Sequence, residues 1–151
     1  MAIRDNPYGA FNYLVKLGDN GRADDIVGGF SDVSGLGNEV KYSEYRNGNE
    51  PVNHVRKIAN TNSTDDVTLK RGLIGDTSLF EWLAATRRGA FEPRTVLITL
   101  LDEARQPVCS WKLISAQPKK WVGPTLGAKG GGEVAMEELH LVAEQIDYQS
   151  S

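Results

Sequence analysis

The chain has 151 residues, enough for one domain with its own core and too few for two ordinary ones. Its hydrophobic fraction of 40%, charged fraction of 25% and formal net charge of −3 are those of a soluble globular protein. They argue against a general nucleic-acid binder, which needs a basic face to neutralise phosphates. A single cysteine, Cys109, rules out an internal disulfide framework. The longest apolar run, residues 96–101, is far shorter than the roughly 20 residues of a membrane-spanning helix. Residues 1–7 lack the apolar core of a secretory signal, so synthesis and folding in the cytoplasm are expected.

The first expected strand covers residues 11–17, where Phe11, Tyr13, Val15 and Leu17 alternate with Asn12, Leu14 and Lys16. Gly18-Asp19-Asn20-Gly21 supplies turn chemistry after it. A strand pair is expected over 26–34 and 38–45, with Gly35-Leu36-Gly37 breaking the chain between them. From Arg46 to Asp66 the composition turns polar and rich in Asn, Gly and Thr around a short half-apolar stretch, 52–59. A segment of that length without core residues reads as a projecting excursion, suited to reaching a neighbour.

Alternation resumes over 67–71, and a helix follows at about 77–88. Asp76 or Ser78 can cap it, Glu81 stands three residues after Ser78 as in a capping box, and Leu79, Phe80, Leu83 and Ala84 form one apolar stripe. Arg87 and Arg88 suit the dipole of the last turn, and Gly89 is the expected stop. Three further strands are expected over 95–102, 107–115 and 133–146, with 102–106 as a hairpin turn and 119–132 as a loop rich in Gly, Pro and Lys. Seven or eight strands and one helix make a mainly β protein, a small β-barrel or sandwich with one flanking α-helix. Neither face of the last strand is cleanly polar. Ala135, Leu139, Leu141 and Ala143 lie on one face, and Val134, Met136 and Val142 on the other. Residues 95–101 share that trait, so either the monomer covers both faces or one awaits a partner chain.

Catalytic chemistry finds little support. His54 and His140 are the only histidines; with Cys109 they lie too far apart for a zinc spacing, and no metal or cofactor is expected. His140, beside Glu138, is read as structural, and Cys109 as a buried small hydrophobe. Gly127-Ala128-Lys129-Gly130-Gly131-Gly132 places its lysine before the glycines, unlike a phosphate-binding P-loop. Ser31 and Ser34 lack a Gly-x-Ser-x-Gly setting. Glu137 and Glu138 fall on opposite faces of a strand and cannot act as a carboxylate pair. Trp82, Trp111 and Trp121 are expected to pack in the core unless one proves exposed at an interface. No enzyme activity is expected.

Several segments, in order, resemble the inner tail-tube family of contractile phage tails and contractile injection systems, which includes the Hcp-like tubes of type VI secretion. They are Gly28-Gly29-Phe30-Ser31-Asp32-Val33-Ser34-Gly35-Leu36, then Glu39-Val40 and Tyr45-Arg46, and Asn53-His54-Val55-Arg56-Lys57. Val67-Thr68-Leu69-Lys70-Arg71-Gly72 with Gly75-Asp76-Thr77, and Glu133-Val134-Ala135-Met136-Glu137, complete the set. The resemblance implies a structural subunit whose hexameric rings stack into a hollow conduit, driven through an envelope by sheath contraction. It implies an extended hairpin arm at about 46–66 and an outer helix that can face the sheath. Other copies, sheath, baseplate or spike, and terminator proteins would be partners, and protein effectors or DNA the cargo. The free subunit would not insert into a membrane, and the assembled tube would reside in a virion tail or injection particle. The lumen is expected to carry small polar or acidic side chains.

On the same resemblance and the two-sided last strand, the candidate subunit contacts are Tyr45, Arg46, Asn53, His54, Val55, Arg56, Lys57, Val134, Met136, Leu139 and Leu141. Removing residues 47–65 is expected to leave a folded domain that no longer polymerises. The competing possibility is a monomeric β-sandwich binding module, for carbohydrate for instance, using Trp121 and the 119–132 loop; a hydrolase is weaker for want of a catalytic constellation.

Overall fold

The computed structural model describes residues 4–18, 26–28, 30–46, 48, 55–129 and 134–150. The elements in chain order are β1 (Tyr13–Leu17), β2 (Ile26–Gly28), β3 (Asp32–Ser34), β4 (Asn38–Tyr45), β5 (Arg56–Thr64), β6 (Val67–Gly72), α1 (Ser78–Arg87), β7 (Arg94–Leu101), β8 (Pro107–Val122), β9 (Met136–Val142) and β10 (Gln145–Ser150). One antiparallel sheet runs in the order β2-β1-β7-β8-β9-β6-β3, with β10 also paired to β8. A separate two-stranded sheet holds β4 and β5. The fold is mainly β with one helix, as the alternation patterns indicate.

The sixteen-residue β8 organises the body. Its first half pairs with β7 and β10, and from Gln117 onward it pairs with β9. Ser115, with φ of 55°, and a register shift between Pro118 and Lys120 mark the passage from one half-sheet to the other. Bends of this kind let one strand turn a sheet back over its own core. Val15, Leu17, Val96, Ile98, Leu113 and Ile146 from one half meet Val67, Leu69, Leu139 and Leu141 from the other. The loop expected at 119–132 therefore starts only after Val122, and the single strand expected at 133–146 is two, β9 and β10, with a corner at 143–144.

The helix closes one opening of the folded sheet by burying Leu79 and Trp82. Trp82, missed in the expected stripe, donates its indole N–H to the Glu92 carbonyl at 3.0 Å. The cap lies one residue from the expected box. Thr77 is the N-cap, its hydroxyl pairs with Glu81 at 2.9 Å, and the Asp76 carboxylate accepts the Ser78 N–H at 3.0 Å. Gly89, at φ of 92°, ends the helix as its position suggests. The 102–106 turn forms around the Asp102 carboxylate, which accepts the Ala104 and Gln106 N–H groups, both at 2.9 Å.

Candidate functional site

The largest feature without cover is the β4–β5 hairpin. Its root is well held: the Asn38 amide donates to the Ile146 carbonyl at 3.1 Å and the Thr64 hydroxyl to the Ala143 carbonyl at 2.9 Å. Lys119 pairs with Asp66 at 2.5 Å, and Gly35, at φ of 86°, passes so close to the Asp66 carbonyl that a Cβ would lie 2.0 Å from it. Beyond that root all of β4, and β5 as far as Asn62, is exposed, including Val40, Tyr42, Tyr45 and Ile58, as is Val55 just before β5. The hairpin itself begins at Asn38. Residues 38–45, expected to pair with a strand over 26–34, form the hairpin's first strand because β4 pairs with β5 rather than with β3. Alternation alone gives a strand's period and is silent on its partner.

Of the expected contact residues, Tyr45, Arg46, Val55, Arg56 and Lys57 come together in the exposed distal part of this hairpin. Asn53 and His54 lie outside the described residues. Val134 is exposed, as are Leu73 and Ile74, with the Leu73 N–H bonded to the Ala135 carbonyl, and Met136 is half-buried. Leu139 and Leu141 correct the expectation: both are fully buried in the monomer's own core and offer nothing to a neighbour. The opposite face of β9 is polar at its centre. There Glu138 pairs with Lys70 at 3.2 Å, and His140 joins Glu138 at 3.3 Å and Thr68 at 3.1 Å. The Lys70 ammonium holds the Glu138 carboxyl below the usual carboxylate range, helped by His140. On β9 only Val142 is an exposed large apolar side chain, whereas Val40, Tyr42, Tyr45 and Ile58 all stand exposed on the hairpin strands.

A second constellation fixes the body behind the hairpin. Arg71 and Glu137 face each other across β6 and β9 at inward positions and are 3% and 2% exposed. The Arg71 guanidinium donates to one Glu137 oxygen, and the Trp121 indole N–H donates to the other at 3.2 Å. Arg71 also donates to the Asp76 carbonyl at 3.3 Å and stands 5.7 Å over the Phe30 ring. The Ser78 N–H draws the Asp76 carboxyl below its ordinary range, with a smaller effect from Arg71. Phe80 meets Trp121 edge to face at 5.2 Å. The segments around Phe30, Arg71–Asp76 and Glu137 thus converge on one polar cluster, buried at Arg71 and Glu137 and exposed at Asp76, that ties three strands to the start of α1. Such a cluster is stable only when every member is paired. Trp121 is half-buried, its N–H held by Glu137 and its ring against Phe80.

Among the described residues no group of three or more His, Cys, Asp or Glu side chains could hold a metal ion. Cys109 is buried. A cleft of about 370 Å³, lined by Tyr8, Tyr13, Asp32 and Trp111 among others, opens beside the hairpin root.

A sequence model of the family described as T4-like virus tail tube protein gp19 matches residues 9–147. The chain belongs to this family. The gp19 family is one of structural tube proteins, and its fold is shared with solved relatives. A chain in the cryo-EM structure of an extracellular contractile injection system, the PVC sheath-tube complex in its extended state, is 26% identical, with 97% of this chain and 94% of that chain covered and a TM-score of 0.83. A chain in the six-fold symmetrised baseplate of the anti-feeding prophage is also 26% identical, over 96% of this chain and 97% of that one, with a TM-score of 0.83. Hcp1 from Flavobacterium johnsoniae shares the fold at 14% identity, covering 91% of this chain and 96% of that one, with a TM-score of 0.55. Comparison with curated protein sequences finds no match.

Proposed function

We propose that this gp19-family chain is the inner-tube subunit of a contractile injection apparatus or contractile phage tail. Rings of six subunits stack into a hollow conduit, and sheath contraction drives that conduit through a target envelope. The observation that carries this reading is the family match across residues 9–147, joined to 26% identity with chains of sheath-tube and baseplate assemblies. The geometry supports it physically. The body closes over its own core, while a hairpin anchored at Asn38 and Thr64 projects with apolar side chains in water. Exposed apolar β surface of this kind favours association.

Copies of the same chain are the first partner, through the hairpin residues Tyr45, Arg46, Val55, Arg56 and Lys57 and through the patch at Val134 and Met136. Asn53 and His54 fall between the two hairpin strands and belong to the same proposal. Sheath, baseplate or spike, and terminator proteins complete the machine, with a protein effector or DNA as cargo. The subunit is made in the cytoplasm and works in the assembled particle; no helix among the described residues is long and apolar enough to cross a membrane.

The test is assembly of the purified chain. Negative-stain microscopy and sizing chromatography should show rings or tubes. Replacing residues 41–61 by a short Gly-Asn turn should leave a monomer with the wild-type circular dichroism spectrum. A persistent monomer at high concentration, in the presence of a cognate baseplate, would refute the tube reading.

A further inference from the structure

Two clefts meet beneath the N-terminal segment. One of about 370 Å³ and another of about 440 Å³ share Tyr8, Leu100 and Trp111 in their linings. Leu100 and Trp111 stand two residues along from the core side chains Ile98 and Leu113, so they continue the core face of β7 and β8. Both are only half-buried, and Tyr148, level with Trp111 on β10, is 65% exposed. The second half-sheet therefore stops short of this end of the face. Tyr8 lies across it instead and divides one opening into two.

The segment that carries Tyr8 has unequal ends. At its base the Asn12 carbonyl accepts the Leu101 N–H at 2.7 Å, the Asn12 amide donates to the Asp102 carbonyl at 3.1 Å, and Arg105 donates to the Asn12 side-chain oxygen at 3.0 Å. At its tip Arg4 forks onto the two Glu103 oxygens at 2.9 and 3.0 Å. The same guanidinium folds back on the Asn6 and Pro7 carbonyls and stands 4.0 Å over the Tyr8 ring. Among the described residues, none of 5–11 donates a hydrogen bond to the body. The polar hold on the tip thus passes through one side chain, onto a carboxylate that is 64% exposed. Such a pair is weak and is screened by salt.

We propose that residues 4–11 are a hinged strap, fixed at Asn12 and latched by Arg4 on Glu103, which opens in the folded subunit and joins the two clefts into one groove. Arg4, Asn6, Pro7 and Tyr8 form one wall of the second cleft, so lifting the strap removes that wall. The floor left behind is Leu100, Trp111 and Tyr148, with Cys109 beside the Tyr148 hydroxyl. No strand pairing is broken, because the segment lies outside every sheet. Opening is therefore a local step, far less costly than unfolding. The subunit has two states that differ in this strap alone, and ionic strength sets their balance. This inference stands apart from the tube reading and does not depend on it.

Cys109 reports the open state, since it is the one cysteine of the chain and is 6% exposed when the strap is closed. The assay is its reaction with N-ethylmaleimide, an uncharged reagent, at fixed pH, using full-length chain diluted until it runs as a monomer. Glu103→Gln should raise the rate by about two- to fivefold, the range open to an exposed pair. Arg4→Met, which also releases the Asn6 and Pro7 carbonyls and the Tyr8 ring, should raise it further. Going from ~0.05 M to ~1 M NaCl should speed the wild type by a similar factor and leave Glu103→Gln nearly unchanged. The Leu101 amide, held by the Asn12 carbonyl, should keep its hydrogen-exchange protection in both variants. Loss of that protection would overturn the hinge at Asn12. The strap is refuted if both variants react as slowly as wild type, or if the rate in urea rises with the slope of global unfolding.

Discussion

Substituting Glu137 by alanine isolates the contribution of the buried cluster. Glu137 is 2% exposed, directly opposite Arg71, and holds the Trp121 indole N–H with its second oxygen. Removing it strands a guanidinium that is itself 3% exposed, with the Asp76 carboxylate 3.6 Å away as the remaining counter-charge. Breaking a buried pair from one side costs about 3–5 kcal/mol, because the surviving charge stays desolvated. A domain of 151 residues is stable by about 8–23 kcal/mol at the usual ~0.05–0.15 kcal/mol per residue. The substitution should therefore consume a large share of the total and lower Tm by about 6–20 °C, at ~2–4 °C per kcal/mol for this size. Thermal and urea unfolding should use the subunit with residues 41–61 replaced, so that self-association adds nothing to the measured stability. The double variant Arg71→Met with Glu137→Leu removes both charges and should recover most of the loss, since apolar replacement of a buried pair is often neutral or stabilising. A loss below about 1 kcal/mol for Glu137→Ala, or a double variant as damaged as the single one, would show that the charge pair is not what holds this region.

Other perturbations address separate parts of the molecule. Gly35→Ala should destabilise by about 2 kcal/mol or more, because φ is 86° and the new Cβ would lie 2.0 Å from the Asp66 carbonyl. Gly89→Ala, at φ of 92° in open space, should cost only about 1 kcal/mol, and equal losses at the two sites would contradict the clash argument. The Glu103 carboxyl, hydrogen-bonded by Arg4 at 2.9 Å, should titrate at about 2 by NMR, and Arg4→Met should return it towards 4.5. Glu138 and Asp76 are likewise depressed, so their stabilisation is present above the ordinary carboxylate range and lost as pH falls through their folded values. Lys70→Met should therefore flatten the acid limb of a stability–pH curve, and an unchanged limb would remove Glu138 from that account. Ser78→Ala should change stability by no more than about 1 kcal/mol, because the buried Ser78 hydroxyl lacks a well-formed hydrogen bond; a larger loss would show that it holds the Asp76 carboxylate beside it.

Local chemistry gave much of this protein from its sequence. The alternation in 11–17 and 67–71, the helix with its Gly89 stop and the Asp102 turn are encoded within a few residues each, through backbone period and side-chain-to-backbone bonds. The opposite orientations of Glu137 and Glu138 follow from the two-residue period alone, and the order of the short segments carried the family. What required the tertiary structure was pairing. Period-two alternation gives β4 a face structure but not a partner, so residues 38–45 read as the mate of a strand over 26–34 until their register with β5 placed them in the hairpin. Leu139 and Leu141 looked available because the apolar count on β9 says nothing about where the core lies; the bend in β8 put that core against them. The cluster of Phe30, Arg71, Asp76 and Glu137 spans more than a hundred residues, and only the folded sheet brings its members into contact. Sequence fixes what each short stretch prefers to be, through sterics and hydrogen bonds a few residues long. Which stretch covers which is decided by burial summed over the whole chain, and on this hairpin that sum leaves both distal faces open to water.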